Sequence, residues 1–371
     1  MAYLCHKLYT NTRDYWEVIM KTILLTGGGT AGHVMPHLAL LPHLKEASYN
    51  IVYIGSYYGI EKTLIEKEGL TYYGISSGKL RRYFDWKNFT DIFKILTGIL
   101  QATYRIHRLK PDVVFSKGGF VTVPVVIGAW INRVPVVVHE SDMTPGLANK
   151  IALRFAKKIC TTFEPTLNYL PPSKAIFTGA PIRQEILEGS ASEGFSFTLL
   201  DQAKPTLLLT GGSLGAKALN TTLRDCLPQL TQTYNVIHLC GKGHLDQALL
   251  NIDGYRQYEF VGEEMPWLYA MADCVISRAG SNTITELLAL KKPNLLIPLS
   301  AKQSRGDQLV NASYYEKAGY SLVLQENKLT SKQFIKSLKT LMAEKETYIS
   351  NMEKAATANG TLNILKVLEK Y

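Results

Sequence analysis

Hydrophobic residues along the chain fall in short runs, each closed by glycine or a polar pair and followed by a longer segment with apolar positions three to four apart. Short apolar runs bounded by turn residues read as buried strands, and the longer segments read as helices. Strands are predicted at 22–26, 51–55, 112–116, 134–138 and 175–178, and a second series at 206–210, 235–239, 274–277, 294–298 and 320–324. Alternation of strand and helix predicts parallel sheets covered on both faces. Gly189 to Lys204 is rich in serine, glycine and polar residues, so 181–204 reads as a linker. It divides a first domain, 20–180, from a second, 205–345, with 346–371 a helical segment that packs back on the first domain. Residues 1–19 read as an extension, because Met20 opens a clean first strand in MKTILLTGGG.

The pattern repeats itself. Leu24-Leu25-Thr26-Gly27-Gly28 recurs as Leu208-Leu209-Thr210-Gly211-Gly212, displaced by half the chain. Each copy is a strand ending in a glycine turn that opens a helix, so the fold class is α/β: two Rossmann-like, doubly wound parallel-sheet domains facing across a cleft. Gly27-Gly28-Gly29-Thr30-Ala31-Gly32 also satisfies G-x-G-x-x-G, which raises a dinucleotide-dependent dehydrogenase as a rival. That fingerprint needs an acid near the end of the second strand, and the sequence there is Ile51-Val52-Tyr53-Ile54-Gly55-Ser56. The loop is therefore read as an anion-binding turn of another kind.

Charge narrows the partners. The net charge is +10, and residues 1–180 carry 21 Lys and Arg against 12 Asp and Glu. The basic excess lies in the first half, which points to an anionic partner there. No nucleic-acid motif accompanies it, so a membrane surface is favoured over nucleic acid. Five scattered cysteines without a C-x-x-C pair suggest neither disulfides nor zinc. His33 and His37 are four apart, but Pro36 lies between them and no H-E-x-x-H motif forms. The uncharged stretch Gly118 to Asn132 is 15 residues long and contains Pro124, short of the ~20 that a spanning helix needs. The first 19 residues lack the apolar region of an export signal. A cytosolic enzyme bound to the membrane's inner face is expected.

Gly27 to His33, His139-Glu140, Gly146 to Lys150, Gly211 to Ala216, Ser277 to Glu286 and Asp307 to Asn311 together resemble the MurG family of glycosyltransferases. The resemblance runs from Met20 to about Val367. It implies the GT-B fold and inverting transfer of N-acetylglucosamine from UDP-GlcNAc to the 4-hydroxyl of MurNAc in undecaprenyl-pyrophosphoryl-MurNAc-pentapeptide, without metal or other cofactor. Bacterial cell-wall and division proteins are the implied partners. The rival readings are another GT-B enzyme, such as a UDP-sugar 2-epimerase or a diacylglycerol glycosyltransferase, and a non-catalytic division scaffold.

The resemblance also implies roles. In the donor half, Ser281 opens a helix whose free N–H groups suit a pyrophosphate, and Glu286 accepts from the uridine ribose. Ser213 sits in a glycine turn that cradles the diphosphate, which Arg183 also approaches. Phe260 and Val261 lie where the uracil packs, and Gln308 and Asn311 where the sugar hydroxyls are read. Asp307 departs from the glutamine expected at its position. Thr30, Gly32 and Asp142 contribute to the donor site from the first domain. Gly27, Gly28, Gly29, Thr30, Ala31 and Gly32 hold the acceptor pyrophosphate.

Inverting transfer needs a base at the attacking hydroxyl. His33 is the first candidate, with a ring pKa suited to the task, or else it orients the loop. Glu140 is the rival base. Leu80, Arg81, Arg82, Tyr83, Phe84 and Trp86 mix cations with aromatics and read as a membrane anchor. They lead into a helix at 88–107 whose apolar positions, Phe89, Ile92, Phe93, Leu96, Ile99, Leu100, Thr103 and Tyr104, are expected mainly to cover the sheet.

Overall fold

The computed structural model describes residues 20–78, 87–212, 215–301, 306–355 and 359–371, with backbone only at 87–90. The first domain is a seven-stranded parallel sheet: β1 (Thr22–Thr26), β2 (Asn50–Ser56), β3 (Thr71–Ile75), β4 (Val113–Ser116), β5 (Val136–Glu140), β6 (Lys158–Thr161) and β7 (Ala175–Phe177), in the order β3-β2-β1-β4-β5-β6-β7. The second is six-stranded: β8 (Thr206–Thr210), β9 (Asn235–Leu239), β10 (Tyr255–Tyr258), β11 (Cys274–Ser277), β12 (Asn294–Leu296) and β13 (Leu322–Val323), in the order β10-β9-β8-β11-β12-β13. Both reverse direction beside their first strand, so each glycine turn, after β1 and after β8, sits at the switch point where open α/β sheets bind ligands. The internal repeat is thus a repeat of topology as well as of residues.

Helices α1 (Met35–Glu46), α2 (Ile60–Lys67), α3 (Lys87–Leu109), α4 (Thr122–Ile131) and α5 (Leu147–Ala152) belong to the first sheet. Then follow α6 (Gln184–Leu187), α7 (Ala191–Thr198), α8 (Lys217–Leu230), α9 (Met265–Met271), α10 (Ser281–Ala289), α11 (Asp307–Lys317), α12 (Ser331–Ala343), α13 (Lys345–Glu353) and α14 (Gly360–Leu368). The last helix crosses back to the first sheet, where Ile364, Val367 and Leu368 join Ile23, Leu25 and Phe115 in one core. Burying each such side chain contributes ~1.5–3 kcal/mol. Segment 181–204, expected as a linker, carries α6 and α7, and Phe195 and Phe197 of this stretch pack into a second-domain core with Tyr269 and Met271. A further cluster spans the two domains, joining Met143 and Phe163 to Ala279, Ile284, Leu296, Ala312 and Tyr315.

Strands β3, β6 and β10 escaped the sequence pattern. Two of them, Thr-Tyr-Tyr-Gly-Ile and Tyr-Arg-Gln-Tyr, are edge strands with only one neighbour, and β6 is four residues long and begins with a lysine. Edges do not require the continuous apolar run of a central parallel strand. Strand β5 also begins two residues later than expected, which carries it through Glu140.

The expectation for α3 is overturned. Ile92, Phe93, Leu96, Leu100 and Tyr104 are exposed, Phe93 by 71% and Leu100 by 73%. The face that turns inward is made of Gly98, Ala102 and Ile106. A Cβ at Gly98 would fall 2.1 Å from the Ser76 carbonyl oxygen, and one at Gly128 of α4 would fall 2.9 Å from the Thr103 nitrogen. Small residues let α3 seat closely with its narrow side, leaving the bulky apolar stripe outward.

Candidate active site

The first glycine turn is shaped by what lies under it. A Cβ at Gly27 would meet the His33 carbonyl oxygen at 2.5 Å and the His37 ring at 2.9 Å, and Gly29 has φ +84°, so neither tolerates a side chain. Tyr53 donates its hydroxyl to the Gly27 carbonyl at 2.8 Å, and His37 Nδ1 lies 3.2 Å from that hydroxyl. His37 is buried against Tyr53 and Phe115, and burial holds its ring well below the usual imidazole range.

Glu61, buried at the start of α2, accepts from the Gly29 N–H at 3.2 Å, the Ser56 N–H at 3.1 Å and the Ser56 hydroxyl at 2.5 Å. An acid therefore does reach the end of β2, although the sequence pattern showed none, and it is spent on loop groups rather than left for a ribose. The Gly29 amide, expected to face the pyrophosphate, thus already has an acceptor.

His33 closes a one-turn helix, Ala31–His33, at the mouth of the cleft. Its Nδ1 lies 2.9 Å from the Gly28 carbonyl oxygen and 3.1 Å from Thr30 Oγ1. A carbonyl can only accept, so the neutral ring carries its proton on Nδ1 and its lone pair on Nε2. That is the tautomer a base needs.

The second glycine turn opens on space. Gly212 and Gly215 have φ +86° and +73°, and they line a cleft of about 750 Å³ with Gly211, Gly280, Thr283 and Gln308. Helix α10 begins after an extended Gly280, with no side-chain cap and nothing within 4 Å of where a Cβ would stand. Its first N–H groups and positive dipole end are thus available to an anion. Gln308 accepts from the Leu299 N–H at 3.0 Å, which leaves its amide NH₂ as the group it can offer a sugar hydroxyl. On the cleft wall Arg278 is paired with Glu326 at 2.5 Å.

Beyond the start of α10, Arg183 and Glu286 line a narrow gap with Met35, Pro36, Pro181 and Asn282. Burial pushes the Glu286 carboxyl up to about 7, against the opposing pull of Arg183 and of the Tyr269 hydroxyl, which donates at 3.3 Å. Phe260 is 71% exposed, so it is no core residue, whereas Val261 packs in the cluster that holds Tyr269. Across the cleft Asn282 donates to the Gly32 carbonyl at 3.0 Å, bringing the first glycine turn against the start of α10.

A family model described as "Glycosyltransferase family 28 N-terminal domain" matches residues 23–161, and one described as "Glycosyltransferase family 28 C-terminal domain" matches 206–368. The chain belongs to glycosyltransferase family 28. A Clostridium botulinum (strain Hall) "UDP-N-acetylglucosamine--N-acetylmuramyl-(pentapeptide) pyrophosphoryl-undecaprenol N-acetylglucosamine transferase" is 56% identical over 352 residues, 95% of this chain and 99% of that protein. A similarly named protein of Bacillus cereus is 56% identical over 335 residues, 90% and 95% of the two chains. Among solved structures, Acinetobacter baumannii MurG superposes with a TM-score of 0.74 at 26% identity, over 95% of this chain and 100% of that one. The GT-B fold and the family resemblance read from the motifs are borne out.

Within this family 28 site, two residues expected at the chemistry are otherwise engaged. Glu140 is buried, and its oxygens accept from Asp142 N–H at 3.0 Å, Gly146 N–H at 3.0 Å and Asn149 Nδ2 at 2.8 Å. It organises the loop after β5, where both of its oxygens already accept hydrogen bonds. Asn311 is fully buried, accepting from the Met143 N–H at 3.2 Å and donating to Asp142 Oδ1 at 3.2 Å and to the Ala279 carbonyl at 3.3 Å. It latches the domains together and is withdrawn from the sugar, and Asp142 is its partner. Ser213 and the anchor residues Leu80, Arg81, Arg82, Tyr83, Phe84 and Trp86 lie outside the described residues. Sequence reasoning missed Glu61, Asn282, Tyr269 and Lys117. Asn282 lay inside the Ser277 to Glu286 motif, and Lys117 carried a signal as a lysine directly before a Gly-Gly pair at a strand end.

Proposed function

We propose that this chain transfers N-acetylglucosamine from UDP-GlcNAc to the 4-hydroxyl of MurNAc in undecaprenyl-pyrophosphoryl-MurNAc-pentapeptide, with inversion. Near-full-length identity to two transferases of that name supports the activity. The observation that carries the mechanism is the Asn282–Gly32 contact, which sets His33 beside the helix end suited to the donor diphosphate. His33 Nε2 takes the proton of the acceptor hydroxyl as O4 attacks the anomeric carbon from the face opposite UDP. The bond to the UDP oxygen breaks, and the negative charge it acquires is met by the amides opening α10, by the Gly211–Gly215 turn and by Arg183, whose buried Nε has no acceptor among the described residues. Glu286 holds the ribose, Gln308 a sugar hydroxyl, and Phe260 with Val261 the uracil.

The acceptor tail stays in the bilayer, and the exposed stripe of α3 suits it. Ile92, Phe93, Leu96 and Leu100 form an apolar ridge flanked by exposed Lys94, Arg105 and Arg108, as an interfacial helix requires. Among the described residues no helix is long and apolar enough to cross a membrane. We assign the enzyme to the cytoplasmic membrane face, docked through α3 and the cationic and aromatic residues at 80–86.

The test is acceptor-dependent release of UDP from UDP-GlcNAc with a short-chain lipid-linked MurNAc-pentapeptide. One UDP per β-linked disaccharide is expected. Consumption of UDP-GlcNAc without acceptor, with a 2-epimer as product, would favour the epimerase reading, since a UDP-GlcNAc 2-epimerase shares this fold at a TM-score of 0.65.

A further inference from the structure

Lys117 is an unusual residue to find at the bottom of a sheet switch point. It follows β4, is 2% exposed, and donates its backbone N–H to the Thr26 carbonyl at 2.9 Å, directly under the first glycine turn. Gly118 and Gly119 behind it have φ +84° and +89°, and a Cβ at Gly119 would fall 2.1 Å from the Gly28 carbonyl oxygen, so the Lys117 loop and the catalytic turn interlock. The parallel register of β4 on β5 sets Lys117 beside His139, and its Nζ lies 2.5 Å from His139 Nδ1 and 2.5 Å from Ser141 Oγ.

Both contacts lead to the junction between domains. His139 Nε2 is 3.1 Å from the Gly179 carbonyl, which fixes the proton on Nε2 and leaves Nδ1 to accept from the lysine. Gly179 precedes Ala180, against which α14 closes at Gly360. Ser141 precedes Asp142 and Met143, the two residues that hold Asn311 of the second domain. Burial pushes the amine down to about 7, against the pull of Glu140, Asp142 and Cys160. A buried amine is costly, and an alkyl side chain of similar length would pack the same space more cheaply.

We propose that Lys117 is a positioning residue that couples the catalytic turn of the acceptor domain to the donor domain, through Ser141 to the Asp142–Met143–Asn311 latch and through His139 to the segment at Gly179 that leaves β7. The proposal rests on the transferase reading given above. It acts on turnover by setting His33 relative to α10, and leaves the donor pocket itself untouched.

A double-mutant cycle separates this role from a merely structural one. Lys117→Met keeps the stem and removes the amine. It should lower kcat by about tenfold with the KM for UDP-GlcNAc changed less than about twofold. In an Asn311→Ala background the same substitution should add less than about twofold, because the path it acts through is already cut. Ser141→Ala, which spares the core, should lower kcat about threefold and also fail to add to Lys117→Met. Full multiplicativity in both cycles, or an unchanged kcat for Lys117→Met, overturns the coupling. Hydrogen exchange decides the matter separately from turnover: Lys117→Met should speed exchange at Met143, and protection equal to wild type would also overturn it. If Lys117→Met does not fold, the Ser141→Ala and Asn311→Ala pair carries the same test. Wild-type protein that transfers no sugar would refute the transferase reading, and exchange at Met143 would still judge the coupling.

Discussion

The two glycine turns share five residues and a topology, yet they are built for opposite tasks. Beneath Gly27–Gly29 lie Tyr53, His37, Glu61 and Lys117, all buried and each bonded to or packed against the turn. Beside Gly211, Gly212 and Gly215 there is a cleft of about 750 Å³ that also takes in the uncapped start of α10. Under the proposed transfer, a turn that releases UDP after every cycle gains from open space and fixed dipoles. A turn that must hold one histidine in one tautomer gains from a braced underside. The repeat therefore conveys the fold, while the chemistry depends on side chains drawn from outside it.

Breaking the braced side should cost most. His33→Ala is expected to lower kcat by about 100-fold or more if Nε2 takes the proton, and by much less if the ring only orients the turn. Single-turnover measurements with saturating donor would show which. Glu140→Gln is the contrast: it keeps two acceptor or donor positions on the loop, so its loss should appear mainly as weakened thermal stability rather than a collapsed kcat.

On the open side, Glu286→Ala should remove about 1–3 kcal/mol of transition-state stabilisation, seen in kcat/KM for UDP-GlcNAc. The pH dependence sharpens this. Burial pushes the carboxyl up to about 7, and the proposed role needs its ionised form, which accepts at both oxygens. The KM for donor should therefore rise as pH falls from 8 to 6, and Glu286→Gln should flatten that rise. A wild-type KM independent of pH over that range would place the ribose elsewhere.

Smaller effects are expected away from both turns. Replacing Phe93, Leu96 and Leu100 with serine should reduce sedimentation with anionic vesicles and turnover of a long-chain acceptor, while a water-soluble short-chain acceptor is processed nearly normally. Equal loss on both acceptors would assign α3 to the acceptor pocket instead. Excess chelator should leave activity unchanged, since in the proposed mechanism the diphosphate charge is met by helix ends and Arg183. Loss of activity restored by magnesium would contradict this.

Much of the architecture was legible because central parallel strands are apolar throughout and end in glycine, as Thr22–Thr26 and Thr206–Thr210 do. Edge strands such as Tyr255–Tyr258 were not, since one face meets solvent and the pattern dilutes. Motif position brought Gln308 to the wall of the cleft and Glu286 to the gap beside Arg183, because each lies within a local strand-turn-helix unit. It did not foresee how Glu140 and Asn311 are engaged, because their partners lie 2 to 169 residues away in sequence. It also misjudged α3, whose apolar periodicity is real but whose inward face was decided by Gly98 and Ala102 rather than by the larger residues.

The division of labour between the two turns is tested most directly by titrating UDP into the His33→Ala and Glu286→Ala proteins and measuring the dissociation constants. The account predicts wild-type affinity for the His33 variant and affinity weakened by about tenfold or more for the Glu286 variant. Weakened UDP binding by the His33 variant, with none for Glu286, would contradict it.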